Sequence, residues 1–266
     1  MKIGTFQFAG KHDIENNYLA IMRGLNKAIE QNVDVLLMQE CALCGYYEQM
    51  IDDERIYELE KQDICQERIQ QTIDKANITL IFGRIQKLGN EIYNVVAILR
   101  KSKKCSYYAK RALWGWDKNN FSRGNENGFF DTGNIRYATR ICYEAEFPEY
   151  FRELFIEKIP IAFVSFAYTG EKDDLDKYEL TKGHLRTRAL ENSIFIISSN
   201  DMSRHQLGPT AIINPSGRIV QIASRTEEEL LVFDYEDFPM TFGRQGIIEN
   251  SEYLLKGKRN YISFPE

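Results

Sequence analysis

The apolar positions of the chain fall into two alternating spacings. KIGTFQF (residues 2–8) reads as a strand. Over residues 14–31, Ile14, Tyr18, Met22, Leu25 and Ile29 recur at helical spacing and mark one face of a helix. VDVLLMQ (33–39) is a near-continuous apolar run, the pattern of a strand covered on both faces. A second helix is predicted at about 62–77, then strands at 78–85 and 93–100. The second half repeats this grammar. A strand is predicted at 135–143, and a helix at 147–155 with Pro148 and Glu149 in its first turn. Strands at 159–167 and 193–200 flank a helix near 175–191, and residues 210–223 form a hairpin around Pro215, Ser216 and Gly217. Strands outnumber helices and several are apolar on both sides, so a layered α/β sandwich is expected. No repeat, linker or low-complexity segment divides the 266 residues, and one domain over 1–266 is expected.

Composition narrows the partners. A net charge of −5 and no basic run longer than RKSKK (100–104) argue against a nucleic-acid partner. No apolar stretch approaches the roughly 20 residues of a membrane helix, so no membrane contact is expected. The opening MKIGTFQFAG has no apolar core flanked by a small-residue cleavage site. Five cysteines (41, 44, 65, 105, 142), odd in number and scattered, suit reduced thiols and a cytoplasmic location.

Three segments end or bend at a reactive side chain: Glu40 after an apolar strand, Lys110 after CSYYA, and Cys142 within RICYEAEFPE. A thiol nucleophile needs a base for its proton and a cation for the negative charge that develops on the substrate. Glu, Lys and Cys supply all three roles without histidine. The three histidines (12, 184, 205) have no evident catalytic context, and His184 and His205 read as structural or exposed. Cys41 and Cys44 form a C-x-x-C, but a structural zinc normally takes four ligands and no thioredoxin-like unit surrounds the pair. They read as buried thiols beside Glu40, and neither metal nor cofactor is expected. Two bland readings compete: Cys142 as a small core residue, and Glu40 and Lys110 as solvated charges. DVLLMQE also imitates the metal-binding strand of Mg²⁺-dependent phosphodiesterases, but the Gly-Asp-x-Asn and Ser-Asp-His segments which that chemistry uses do not occur.

Taken together, VDVLLMQECALCGY, YYAKRALWGWDKNNFSRG with Phe121 and Gly124, TRICYEAEFPE, HLRTRALENSIFIISSN and INPSGRIV resemble the nitrilase superfamily of carbon–nitrogen hydrolases. The resemblance covers residues 2 to 236. It implies a four-layer α-β-β-α sandwich, often paired into a homodimer, acting on a small-molecule amide without a cofactor. It also implies Glu40 as general base, Lys110 as oxyanion-stabilising cation and Cys142 as nucleophile, with the Tyr143 N–H assisting Lys110. A non-catalytic relative is the third reading, with only Asp117 in its favour.

Family members usually carry a second Glu seven residues after the Lys; this chain has Asp117 there, and Gln39 where Pro commonly precedes the base. Tyr46, Phe147 and Tyr168 stand beside the motif residues and are candidates to line the pocket, as are Trp114 and Trp116. True nitrilases of the superfamily typically place Trp after the cysteine, where this chain has Tyr143, so amides or carbamoyl compounds are expected rather than nitriles. Glu146 stands where relatives acting on carboxylate-bearing substrates often carry Arg, which points to a neutral or cationic amide unless Glu146 turns away into a structural ion pair.

Overall fold

Strand β1 (Lys2–Gln7) sends Ile3 and Thr5 to one side and Phe6 to the other. This division sets the layers of the protein, whose computed structural model describes residues 1–47, 58–133 and 135–257. The chain continues through α1 (Ile14–Glu30), β2 (Val35–Leu37), α2 (Leu59–Ile73), β3 (Thr79–Leu88), β4 (Glu91–Leu99), β5 (Ser106–Ala109), the short α3 (Asp117–Asn120), β6 (Phe129–Thr132) and β7 (Ile135–Ile141). A 3₁₀ turn over Cys142–Glu146 leads into α4 (Pro148–Ile156), β8 (Ile161–Phe166), β9 (Thr169–Gly170), α5 (Leu175–Asn192) and β10 (Phe195–Asn200). The rest comprises β11 (His205–Gln206), β12 (Ala211–Ile213), β13 (Ile219–Ile222), β14 (Glu229–Asp234) and α6 (Phe242–Leu255).

Two six-stranded mixed sheets result, ordered β14-β1-β2-β3-β4-β5 and β13-β12-β10-β8-β7-β6. Strands β1, β2 and β3 run parallel in the first, and β7, β8 and β10 in the second. The sheets face each other across a core that includes Ile3, Val35, Leu37, Ile81, Tyr137, Phe163 and Ile197. On the outer face of the first sheet, Phe6, Leu36 and Leu80 pack with Ile21 and Leu25 of α1 and Ile69 of α2. On that of the second, Ala162, Val164 and Ile196 pack with Phe151 and Leu154 of α4 and Leu185 and Ala189 of α5. The expected four-layer α-β-β-α sandwich is therefore the fold. The central strands read as continuous apolar runs because each face meets a different layer.

Differences from the sequence pattern are local. The strand expected at 135–143 stops at Ile141, whose N–H bonds the Glu144 carboxylate at 2.8 Å. The helix expected at 62–77 spans Leu59–Ile73 instead. Strands β5, β6 and β14 and helix α6 carried no clear period: the strands have 4 to 6 residues, and α6 has no buried residue among those described. No helix among the described residues is long and apolar enough to cross a membrane.

Candidate active site

The turn after β2 carries Glu40, held against β3 through Gly83. The Gly83 N–H donates to the Gln39 carbonyl at 3.0 Å, and its carbonyl accepts from the Leu43 N–H at 3.1 Å. A Cβ on Gly83 would come within 2.1 Å of the Cys41 nitrogen and 2.6 Å of the Glu40 Cα, so this approach requires glycine. Gln39, in place of the common Pro, donates to the Phe8 carbonyl at 2.9 Å and accepts from the Phe8 N–H at 3.2 Å. It thereby binds the ends of β1 and β2 together.

Lys110 follows β5. Its N–H donates to the Asn94 carbonyl at 2.9 Å, and its carbonyl accepts from Gly124 at 2.9 Å. A Cβ on Gly124 would stand 2.1 Å from the Ala109 carbonyl oxygen, which accounts for the glycine at that offset.

Glu40, Lys110 and Asp117 form one buried ionic chain. Lys110 Nζ lies 2.8 Å from Glu40 Oε1 and 2.7 Å from Asp117 Oδ2. Asn94 Nδ2 donates to the same Glu40 oxygen at 2.8 Å, and the Ala167 N–H donates to Glu40 Oε2 at 2.9 Å. Asp117 also accepts from the Tyr46 hydroxyl at 2.9 Å and from the Trp114 N–H at 3.1 Å. The shorter acid, the first residue of α3, thus reaches the ammonium. Burial opposes the charge on Lys110, but Glu40, Cys142 and Asp117 outweigh it and hold the ammonium well above the usual lysine range.

Cys142 opens the 3₁₀ turn with φ of +46°, a left-handed conformation that a non-glycine residue adopts at a cost of roughly 1–3 kcal/mol. Burial, then the Glu40 charge, push its thiol well above the ordinary range, while Lys110 and a bond from the Ala167 N–H pull the other way. The Ala167 N–H that donates to Glu40 thus also favours the thiolate form of Cys142. Glu144 pins the turn. Its carboxylate accepts from the Tyr108 hydroxyl at 2.8 Å, the Ile141 N–H at 2.8 Å and the Arg111 N–H at 2.6 Å, tying the Cys142 turn to the segment after Lys110.

Lys110 and Cys142 floor a cavity of about 360 Å³, at the small end of ligand-pocket volumes, with Glu40 behind the lining. Lys110, Cys142, Tyr46, Tyr143, Glu146 and Tyr168, all singled out from sequence, line it, as do Trp114 and Trp116. Asp117 lies behind, reached through Lys110 and Tyr46. Phe147 is not in the lining; its ring meets Tyr143 edge-on at 5.1 Å. His184, read from sequence as structural or exposed, lines the cavity together with Lys177 and Thr181, because one face of α5 forms a wall. Only the α4–α5 packing reveals this. His205 is exposed on β11.

Asn94 and Glu144 escape the sequence reading, although Asn94 lies in the strand expected at 93–100 and Glu144 within RICYEAEFPE; nothing in a strand pattern tells a buried amide that braces a carboxylate from one facing solvent. Cys41 and Cys44 are buried free thiols beside Glu40, and the Cys41 sulfur approaches Asn94 Oδ1 at 3.8 Å. The donors around Glu40 do not suit the metal-dependent phosphodiesterase alternative: both carboxylate oxygens already accept bonds, and a buried ammonium occupies the adjacent position.

Comparisons with known proteins identify relatives of the chain and of its fold. The family profile described as carbon-nitrogen hydrolase matches residues 2–236. The 2-oxoglutaramate amidase of Bacillus subtilis (strain 168) is 26% identical over 207 residues, covering 74% of this chain and 76% of that protein. The N-carbamoylputrescine amidase of Solanum tuberosum is 22% identical over 257 residues, covering 88% of this chain and 85% of that one. Among solved structures, an amidase of Nesterenkonia AN1 from the nitrilase superfamily superposes with a TM-score of 0.80 at 21% identity, covering 97% of this chain and 96% of that chain.

Proposed function

The chain belongs to the carbon–nitrogen hydrolase family, and on that premise we propose that it hydrolyses a small amide or carbamoyl compound through a thioester on Cys142. The observation that carries this reading is the buried Glu40–Lys110–Asp117 chain, with Cys142 beside it on one cavity.

Because the Cys142 thiol is held above its ordinary range, it is protonated at neutral pH and needs a base as the reaction begins. Glu40, fixed by Lys110, Asn94 and the Ala167 N–H, accepts that proton. The sulfur attacks the carbonyl carbon, and the carbonyl π electrons move to oxygen. Lys110 Nζ and the Tyr143 N–H stabilise the oxyanion. Collapse breaks the C–N bond, and the amine or ammonia leaves with the proton that Glu40 held. A water molecule then gives a proton to Glu40 and attacks the thioester; the C–S bond breaks to release the acid, and Glu40 returns its proton to the Cys142 sulfur. Asp117 positions Lys110 from the side opposite Glu40, and Tyr46, Tyr143, Glu146 and Tyr168 contact the substrate. The whole of 1–266 acts as one domain.

The same reading includes a homodimer. Helix α6 has no buried residue among those described, and Phe242 is 96% exposed on it with Leu254 and Leu255 also in solvent. A second copy of the chain gives these apolar groups a partner.

The direct test is trapping by mass spectrometry. Incubation with a library of small amides and ureides is expected to leave an acyl adduct on Cys142, and Cys142→Ala is expected to abolish both adduct and turnover. Full activity in Cys142→Ala, with label on Cys41 or Cys44, would overturn the assignment.

A further inference from the structure

The cavity carries charge unevenly. Behind its floor, the buried Glu40 and Asp117 carboxylates set two negative charges against the one positive charge of Lys110, leaving one in excess. At its rim stands Glu146, exposed, with no ion pair or hydrogen bond to its carboxylate among the described residues. The Glu146 carbonyl accepts from Arg188 at 3.1 Å, but Arg188 has its own counterion in Glu191 at 3.0 Å. Lys177 is the one lysine on the described rim, and its Nζ lies 3.7 Å from Asp174 Oδ2. Among the described residues, the rim and the buried chain behind the floor together hold about two uncompensated negative charges, beside a cavity with largely apolar walls.

The rim is also aromatic. Trp114 is 48% exposed and Trp116 39% exposed, and Tyr168 and Tyr143 lie on the same cavity. Large apolar rings left in water beside an unpaired carboxylate are a poor arrangement for a neutral surface. They suit an organic cation, which a ring face attracts through its quadrupole and a carboxylate through charge-assisted hydrogen bonds.

Resting on the hydrolase reading above, we propose that the substrate carries a cationic group, an aliphatic ammonium, at the end distant from the scissile amide, and that Glu146 binds it against the faces of Trp114, Trp116 and Tyr168. Cys142 and Lys110 then engage the carbonyl at the floor while the ammonium stays at the rim. Glu146 sets specificity and takes no part in the chemistry.

The experiment is a matched series of aliphatic amides of equal length ending in an ammonium, a methyl or a carboxylate, assayed as kcat/KM. In the parent protein the ammonium member is expected to exceed the carboxylate member at least 10-fold, with an advantage that shrinks as salt is raised. In Glu146→Gln the ratio of ammonium to methyl member is expected to fall about 10-fold, and in Glu146→Lys the order of the charged members reverses. The parent series alone decides if either variant fails to fold. Equal rates across the series, or preference for the carboxylate through Lys177 and His184, would overturn the inference while leaving the hydrolase reading intact. If no member is cleaved or acylates Cys142, the hydrolase reading falls and this inference with it.

Discussion

At the residue scale, the proposed mechanism asks Glu40 to act on Cys142 in two opposed ways, and the opposition makes its role testable. As a charge it raises the thiol; as the base of the proposed mechanism it would remove the proton. Glu40→Gln removes the repulsion and leaves Lys110 in place, so the pH profile of iodoacetamide labelling at Cys142 should move to lower pH. Turnover in the same variant is expected to fall at least ~100-fold, the lower range for a positioned general base. A thiol that labels at lower pH in a protein that hydrolyses more slowly separates base from bystander. Unchanged turnover would remove Glu40 from the mechanism. Asp117 is weighed differently, since it touches Lys110 and Tyr46 but not the cavity. Asp117→Asn keeps the shape and loses the charge, and is expected to lower kcat/KM at least ~10-fold, about 1.4 kcal/mol of transition-state stabilisation. Wild-type kinetics in that variant would mean that Glu40 alone suffices to hold Lys110.

At the element scale, the Cys142 turn and the segment after β5 are separate pieces of chain joined by Glu144. Its side chain is fully buried, and replacing it with Ala leaves the Ile141 and Arg111 N–H groups and the Tyr108 hydroxyl without their acceptor. Glu144→Ala is expected to cost on the order of 3 kcal/mol, since each unsatisfied buried group costs about 1–3 kcal/mol and some relaxation follows. Chemical denaturation measures this, and a loss below ~1 kcal/mol would show that the two segments hold their positions without it. Gly83→Ala acts at the other junction: a methyl 2.1 Å from the Cys41 nitrogen must push the Glu40 turn off β3. Activity is expected to fall by more than stability does, because the turn carries Glu40 while the sheet beneath it remains paired.

At the scale of the whole molecule, the strands bring their ends to one edge of the sandwich, where Glu40 from the first sheet meets Cys142 and Ala167 from the second. No single layer holds the site. The reading needs no metal to polarise the carbonyl, so activity is expected to survive exhaustive EDTA treatment; loss on chelation with recovery in Mg²⁺ would restore the phosphodiesterase alternative. Light scattering on the purified chain is expected to give twice the mass of 31.1 kDa. A monomer at micromolar concentration would leave the apolar side chains of α6 without the partner assigned to them.

The sequence by itself determined which strands are covered on both faces, because continuous apolar runs such as VDVLLMQ fit only an inner layer. It also marked Glu40, Lys110, Asp117 and Cys142 as a set, since each lies in a motif whose local neighbours are diagnostic. Only the tertiary structure decided what surrounds them. Asn94 braces Glu40 from 54 positions away, the Ala167 N–H reaches it from 127 positions away, and Glu144 joins segments 33 positions apart. His184 enters the cavity because α5 packs with its neighbours at that angle, although its helical spacing fits an exposed position equally well. Local pattern records how a residue sits within its own element; a buried hydrogen bond or a cavity wall depends on which other element arrives opposite, and that is fixed by packing between the layers.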